Sequence, residues 1–117
     1  MERDAAGRFT PCGFVATVRR MQIREFQKLI DEMYSERDRQ RGSAKTFVWF
    51  VEEVGELARA IARKETENIA GEFADVFAWL ATLANVEGID LQKAIVKFTG
   101  GCPGCGEMVC TCTSKMT

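Results

Sequence analysis

Histidine is absent from the 117-residue chain. That one gap removes Ser-His-Asp and Cys-His nucleophile systems, histidine-ligated phosphohydrolase metals and Glu-x-x-His di-iron bundles, so any bound metal must be held by carboxylates or thiolates. A basic surplus is lacking too. The 16 lysines and arginines stand against 17 aspartates and glutamates, the net charge is −1 and the isoelectric point is about 5.6. Nucleic acid is therefore not an expected partner. No uninterrupted apolar run approaches the roughly 18 residues of a membrane span, and the N-terminus carries Glu2 and Asp4 without an apolar secretory core. These absences point to a soluble cytoplasmic protein with no membrane partner.

What is present suits one compact domain: 46% of the residues are hydrophobic, enough for a core, and the length is not comfortable for two domains. Residues 1–20 hold Gly7, Pro11 and Gly13 among scattered charges and show no sustained period, so they read as a flexible N-terminal arm in which Cys12 is incidental. Met21 opens a cleaner pattern, and the ordered domain, or even the natural start, is expected there. Ile23, Phe26, Leu29, Ile30, Met33 and Tyr34 recur at three and four, which predicts an amphipathic helix to about Arg41, with Gly42 as its break and Ser43 as the cap of the next. A second helix, about 44–64, carries Phe47, Val48, Phe50, Val51, Val54, Leu57, Ala58 and Ile61. After a turn through Thr66, Glu67 and Asn68, a third runs to about Val86 with Ile69, Phe73, Val76, Phe77, Leu80 and Leu83 as its stripe. Gly88 can end it, and Asp90 can cap a short fourth helix from Leu91 to Phe98. Four helical segments and no convincing strand define an all-α domain, residues 21–99. Helices this short need burial against one another or against a second copy of the chain.

The chain is organised around residues 51–75. Helical periodicity places Glu53 with Glu56, and Glu72 with Asp75, on shared faces, each a pair of carboxylates three residues apart. Glu52 adds a fifth acid one turn from Glu56. A solvated acidic face is the plain alternative, but two such pairs facing each other would bind a hard cation. Gly55, inside the second helix, suggests close approach of another backbone or a ligand beside the acids. Oxygen-only donors favour Mg2+, with Mn2+ and Ca2+ as alternatives. A cation so held can orient a phosphate chain and lower the pKa of a water, and a spare carboxylate can take that water's proton.

Glu-Glu-x-x-Glu followed by Glu-x-x-Asp on the next helix resembles the MazG family of all-α nucleoside triphosphate pyrophosphohydrolases. The resemblance spans about Ile23 to Phe98, taking in Glu36-Arg37-Asp38-Arg39, the Val51–Leu57 segment, Glu72-Phe73-Ala74-Asp75-Val76, and Leu-Ala-Asn with Gly-Ile-Asp between Leu83 and Leu91. It implies Mg2+-dependent hydrolysis of a nucleoside triphosphate to monophosphate and pyrophosphate, with house-cleaning of noncanonical nucleotides as the expected role. Glu53, Glu56, Glu72 and Asp75 match the family's metal-binding acids. Glu52 matches the leading acid, so Glu52 and Glu53 are the candidate catalytic residues. Asn85 and Lys97 stand where relatives present polar and basic groups to the nucleotide. A four-helix-bundle core completed by a second subunit is implied as well, making a homodimer or homotetramer. Trp49 and Trp79 are read as core packing in preference to base stacking.

The tail, residues 100–117, changes composition. Cys102-Pro103-Gly104-Cys105-Gly106 has the form of a metal-binding knuckle, and Cys110 with Cys112 would complete four thiolates for a structural Zn2+. A reduced flexible tail and an adventitious disulfide are the alternatives. Two further functions stay in view: a non-catalytic helical module that binds nucleotide or regulates, and a nucleic-acid adaptor using the knuckle.

Overall fold

A computed structural model describes residues 2–3, 9–10 and 20–113. Most of the expected arm, including Cys12, and residues 114–117 of the tail lie outside the described residues. Within the arm, β1 (Glu2–Arg3) pairs antiparallel with β2 (Phe9–Thr10), Glu2 opposite Thr10 and Arg3 opposite Phe9. From residue 20 onward the secondary structure is entirely helical. Helix α1 (Ile23–Ala62) is followed by α2 (Thr66–Glu87), the four-residue α3 (Leu91–Ala94) and a 3-10 turn, Ile95–Phe98.

The expected break at Gly42 is real, and α1 is two helices joined across a kink there. Gly42 adopts φ 78° and ψ 170° inside the helix. That is left-handed territory open to glycine and strained for other residues. The Thr46 hydroxyl, fully buried, donates to the Gly42 carbonyl at 2.7 Å and satisfies an acceptor freed by the bend. Ser43 does not cap: its hydroxyl donates to Glu87 at the far end of α2.

The loop between α1 and α2 falls earlier than the sequence suggests. Lys64 takes φ 55°, Glu65 N–H donates to Ala60 O at 3.0 Å, and the helix resumes at Thr66. Closing α1 this tightly leaves only residues 63–65 for the connection. Contacts then pair Ser43 with Glu87, Trp49 with Trp79, and Glu53 with Glu72, so residues 43–62 run antiparallel to α2. Gly88 ends α2 with φ 71°, and Ile89 N–H reaches back to Ala84 O at 2.8 Å. Asp90 caps α3 as expected, accepting from Lys93 N–H at 3.3 Å.

The first half of α1 is fastened to the end of α2 mainly by Gln27. Its amide donates to Asn85 Oδ1 at 3.0 Å and to Ile89 O at 2.6 Å, and its oxygen accepts from Leu91 N–H at 2.9 Å. Phe26 stacks on Phe77 with centroids 5.0 Å apart. The buried apolar side chains, Ile30, Ala60, Ala81 and Ala84, are few and mostly small. Much of the expected stripe is exposed in the single chain, including Phe47, Val48, Trp49, Val51, Val54, Phe73 and Phe77. The tryptophans stack on each other, 6.4 Å apart, with Trp49 47% exposed and Trp79 half-buried.

By length and composition α2 could cross a membrane, since its best 18-residue window has a mean hydropathy of 1.3. This departs from the reading of the bare sequence, because the acids interrupt the apolar run without lowering its average far. Here α2 lies along α1 and carries Glu72 and Asp75.

Candidate metal centre and adjoining pocket

Helical spacing does what the sequence suggests. Glu53 and Glu56, one turn apart on α1, meet Glu72 of α2, and one carboxylate oxygen from each of the three lies within 4.8 Å of the others. Three like charges at that separation are unfavourable unless a proton or a cation relieves them. Glu53 bears most of the stress. Its shielding from water, followed by the charges of Glu56, Asp75 and Glu72, pushes its carboxyl up to about 7. Glu53 Oε2 is also occluded and has no hydrogen-bond partner. An occluded acceptor without a donor, inside an oxygen-only donor set, fits a hard divalent cation such as Mg2+ or Mn2+.

Asp75 is exposed and does not join that trio, although it is close enough to act on Glu53. It lines a cavity of about 330 Å3 formed between the first half of α1 and α2. The walls include Tyr34, Arg37, Asp38, Arg41, Trp79 and Thr82. Asp75 is therefore the residue common to the acidic centre and the pocket. Glu52 is exposed and outside the trio.

The pocket is built around an ion pair that the sequence pattern did not single out as functional. Asp38, 3% exposed, holds the Arg41 guanidinium at 3.1 Å, and Arg41 also donates to Thr46 Oγ1 at 3.3 Å. The guanidinium sits over the Trp79 ring, 5.1 Å from its centroid, a favourable cation–π placement. Asp38 Oδ2 is buried without a hydrogen-bond partner, so the pocket wall keeps one acceptor for a donor from elsewhere. The available signal was an acid and an arginine three residues apart just before a helix-bending glycine.

The two expected substrate-binding residues lie apart from this arrangement. Asn85 is engaged with Gln27 through both ends of its amide, donating to Gln27 O at 3.1 Å and accepting from Gln27 Nε2. It lines a second, more open cavity with Arg24, Gln27, Lys28 and Asp31. Lys97 is in the 3-10 turn with its ammonium 5.1 Å from the Phe98 ring centroid. Gly55 is not crowded, for a Cβ built on it meets nothing within 4 Å.

The four cysteines of the tail do converge. Their sulfurs lie within 4.8 Å of one another, and all four are free thiols. Backbone N–H groups of Thr111 and Glu107 hold the Cys105 thiol down to about 6. Hydrogen bonding with Cys110, Cys105 and Cys102 pushes Cys112 up to about 11.

Residues 41–101, slightly more than half of the chain, match the MazG nucleotide pyrophosphohydrolase domain. The match contains all five acids and begins at Arg41, while the four tail cysteines lie beyond its end. Among curated proteins none matches the chain significantly.

Proposed function

The chain belongs to the MazG nucleotide pyrophosphohydrolase domain family, and we propose that it hydrolyses nucleoside triphosphates to nucleoside monophosphate and pyrophosphate with Mg2+ as cofactor, Mn2+ being able to substitute. The observation that carries this reading is the convergence of Glu53, Glu56 and Glu72, with Glu53 Oε2 occluded and partnerless, beside a cavity that shares Asp75 and is lined by two arginines. Glu53, Glu56 and Glu72 would hold the cation, and Asp75 completes the set at the pocket edge. The ion, when bound, supplies charge neutralisation on the phosphate chain and lowers the pKa of a water.

The chain's own groups do the rest. Arg41 is oriented by Asp38 and Thr46, so its position is set before a ligand arrives. Arg41 and Arg37 offset phosphate charge from the pocket wall, while Tyr34, Ile30 and Trp79 exclude water on the other side. Glu52, exposed and next to Glu53, is available to accept a proton from the attacking water at its carboxylate. Asp38 Oδ2 offers an acceptor to an N–H donor on the ligand.

Occupancy by a second copy belongs to the same proposal. Exposed Phe47, Trp49, Val51, Val54 and Phe73 on the paired helices make more apolar surface than a single chain covers, and a homodimer or homotetramer would bury it in a four-helix core. The setting we infer is cytoplasmic, and the role is removal of noncanonical or surplus nucleotides.

The test is pyrophosphate release from a panel of canonical and modified ribo- and deoxyribonucleoside triphosphates, with Mg2+ and with chelator, beside Glu53→Gln. Mg2+-dependent release that the variant loses is expected. Equal inertness of both proteins, with nucleotide still bound, would favour the non-catalytic module.

A further inference from the structure

The tail from Gly100 onward lacks what usually holds a polypeptide in place. Its described residues form no helix or strand, and Met108 and Val109 are 80% and 83% exposed. None of its described residues is buried. Its fold rests on a few backbone bonds, Cys102 N–H to Glu107 O at 2.8 Å and Gly106 N–H to Cys102 O at 2.7 Å. Segments too small to bury a core are ordinarily stapled by disulfides or a metal. Here the cysteines are reduced and their sulfurs face one another.

The spacing of those sulfurs is informative. Four thiolates around Zn2+ at about 2.3 Å stand about 3.8 Å apart when the geometry is tetrahedral. The Cys102 and Cys112 sulfurs are 3.8 Å apart, and all four fall within 4.8 Å. The backbone has been arranged to permit this. A Cβ on Gly104 would lie 3.0 Å from Cys112 Sγ, and one on Gly101, at φ 116°, would strike Gly106 O at 2.8 Å. Thr111 N–H points at Cys105 Sγ at 3.4 Å and Cys112 N–H at Cys110 Sγ at 3.3 Å. Such donors disperse thiolate charge around a metal.

We propose that Cys102, Cys105, Cys110 and Cys112 bind one Zn2+ as a closed, structural four-thiolate site that folds the C-terminal tail. Binding converts the remaining thiols to thiolates and releases their protons to solvent. With four protein ligands, no position is left for water or substrate, so the site takes no part in hydrolysis. It is separate from the carboxylate centre in donor chemistry and selects a different metal.

The experiment uses the full chain, purified under reducing conditions without chelator and freed of loosely bound metal by gel filtration. Elemental analysis should find about one zinc per chain, and Co2+ replacement should give the intense visible bands of a tetrahedral thiolate complex. Cys102→Ser and Cys105→Ser should lose both signals while circular dichroism keeps the helical content. Glu53→Gln should retain the zinc in full, which separates this site from the proposed catalytic one. Iron in place of zinc, cobalt without thiolate bands in the wild type, or undiminished zinc in the serine variants would overturn the proposal. So would two disulfides under the same conditions. The cobalt spectrum needs no variant, so a serine protein that fails to fold does not spare the proposal from the test.

Discussion

The protein gathers negatively charged ligands in two places, and it does so by opposite means. At the acidic centre, three carboxylates are set by the repeat of two long helices. In the tail, four sulfurs are set by turns and glycines with almost no buried surface behind them. At the helical site the Glu53 carboxyl is pushed up to about 7, first by shielding from water and then by the neighbouring acids. The tail has little buried surface to fix its sulfurs, and its geometry should depend on the metal.

The largest expected effect comes from breaking the first site alone. Glu53→Gln or Glu72→Gln should lower Mg2+-dependent pyrophosphate release by at least about 100-fold, since even residues that merely support metal ligands are worth 10–100-fold. Helical content and zinc content should stay as in the wild type. Loss of zinc along with activity would show that the two regions are coupled.

Breaking the second alone should be as local. A chelator strong enough to strip four thiolates should expose the tail to limited proteolysis after about Gly100 and leave the helices intact. Magnesium should then restore hydrolysis without restoring protection, because oxygen and sulfur sites answer to different ions. If stripping instead unfolded α1 and α2, the tail would be a brace for the whole domain.

Protons sharpen the contrast. Glu53 is raised from 4.5 to about 7, so between those values the folded, cation-free protein binds more protons than the unfolded chain. Stability from this group is therefore fully present below pH 4.5 and is lost as pH rises through about 7. Thermal melts without divalent ions should show that decline, Glu53→Gln should flatten it, and Mg2+ should stabilise most above pH 7, where it does not have to displace a proton. An identical slope in wild type and variant would mean that Glu53 is not the group under stress.

These sites were unequally legible. The pairs Glu53 with Glu56 and Glu72 with Asp75 could be read from a spacing of three, which fixes a helical face, but that Glu72 meets the first pair while Asp75 stays outside the trio depends on how α1 and α2 pack. The knuckle was legible from its cysteine and glycine spacing. Asp38 and Arg41 were not assigned to the pocket, because that depends on how the first half of α1, before the bend at Gly42, lies against α2. Trp49 and Trp79 belong to an apolar surface that the sequence offers in excess of what one chain covers, and Trp49 is 47% exposed. Asn85, expected at the nucleotide, fastens α2 to Gln27 through its amide. Asn85→Ala should cost about 1–3 kcal/mol of stability through the two lost bonds, measured by urea denaturation. Unchanged stability with a raised KM would return Asn85 to the nucleotide.

The smallest expected effect bears on whether the acidic centre belongs to one chain. Gly55 lies between Glu53 and Glu56 in the helix interior, and a Cβ there meets nothing within 4 Å among the described residues. Alanine is favoured over glycine in such a position by about 0.5–1 kcal/mol, so Gly55→Ala should raise the urea midpoint by that amount with an unchanged slope if the space is open in solution. A partner helix or a bound nucleotide occupying it would reverse the sign. Sedimentation of the variant then distinguishes the two: a smaller species places another copy against the acids, while an unchanged one with weakened nucleotide binding places the ligand there. In either case the carboxylate centre would be finished from outside the chain, whereas the thiolate site draws all four ligands from eleven consecutive residues of its own, Cys102 to Cys112.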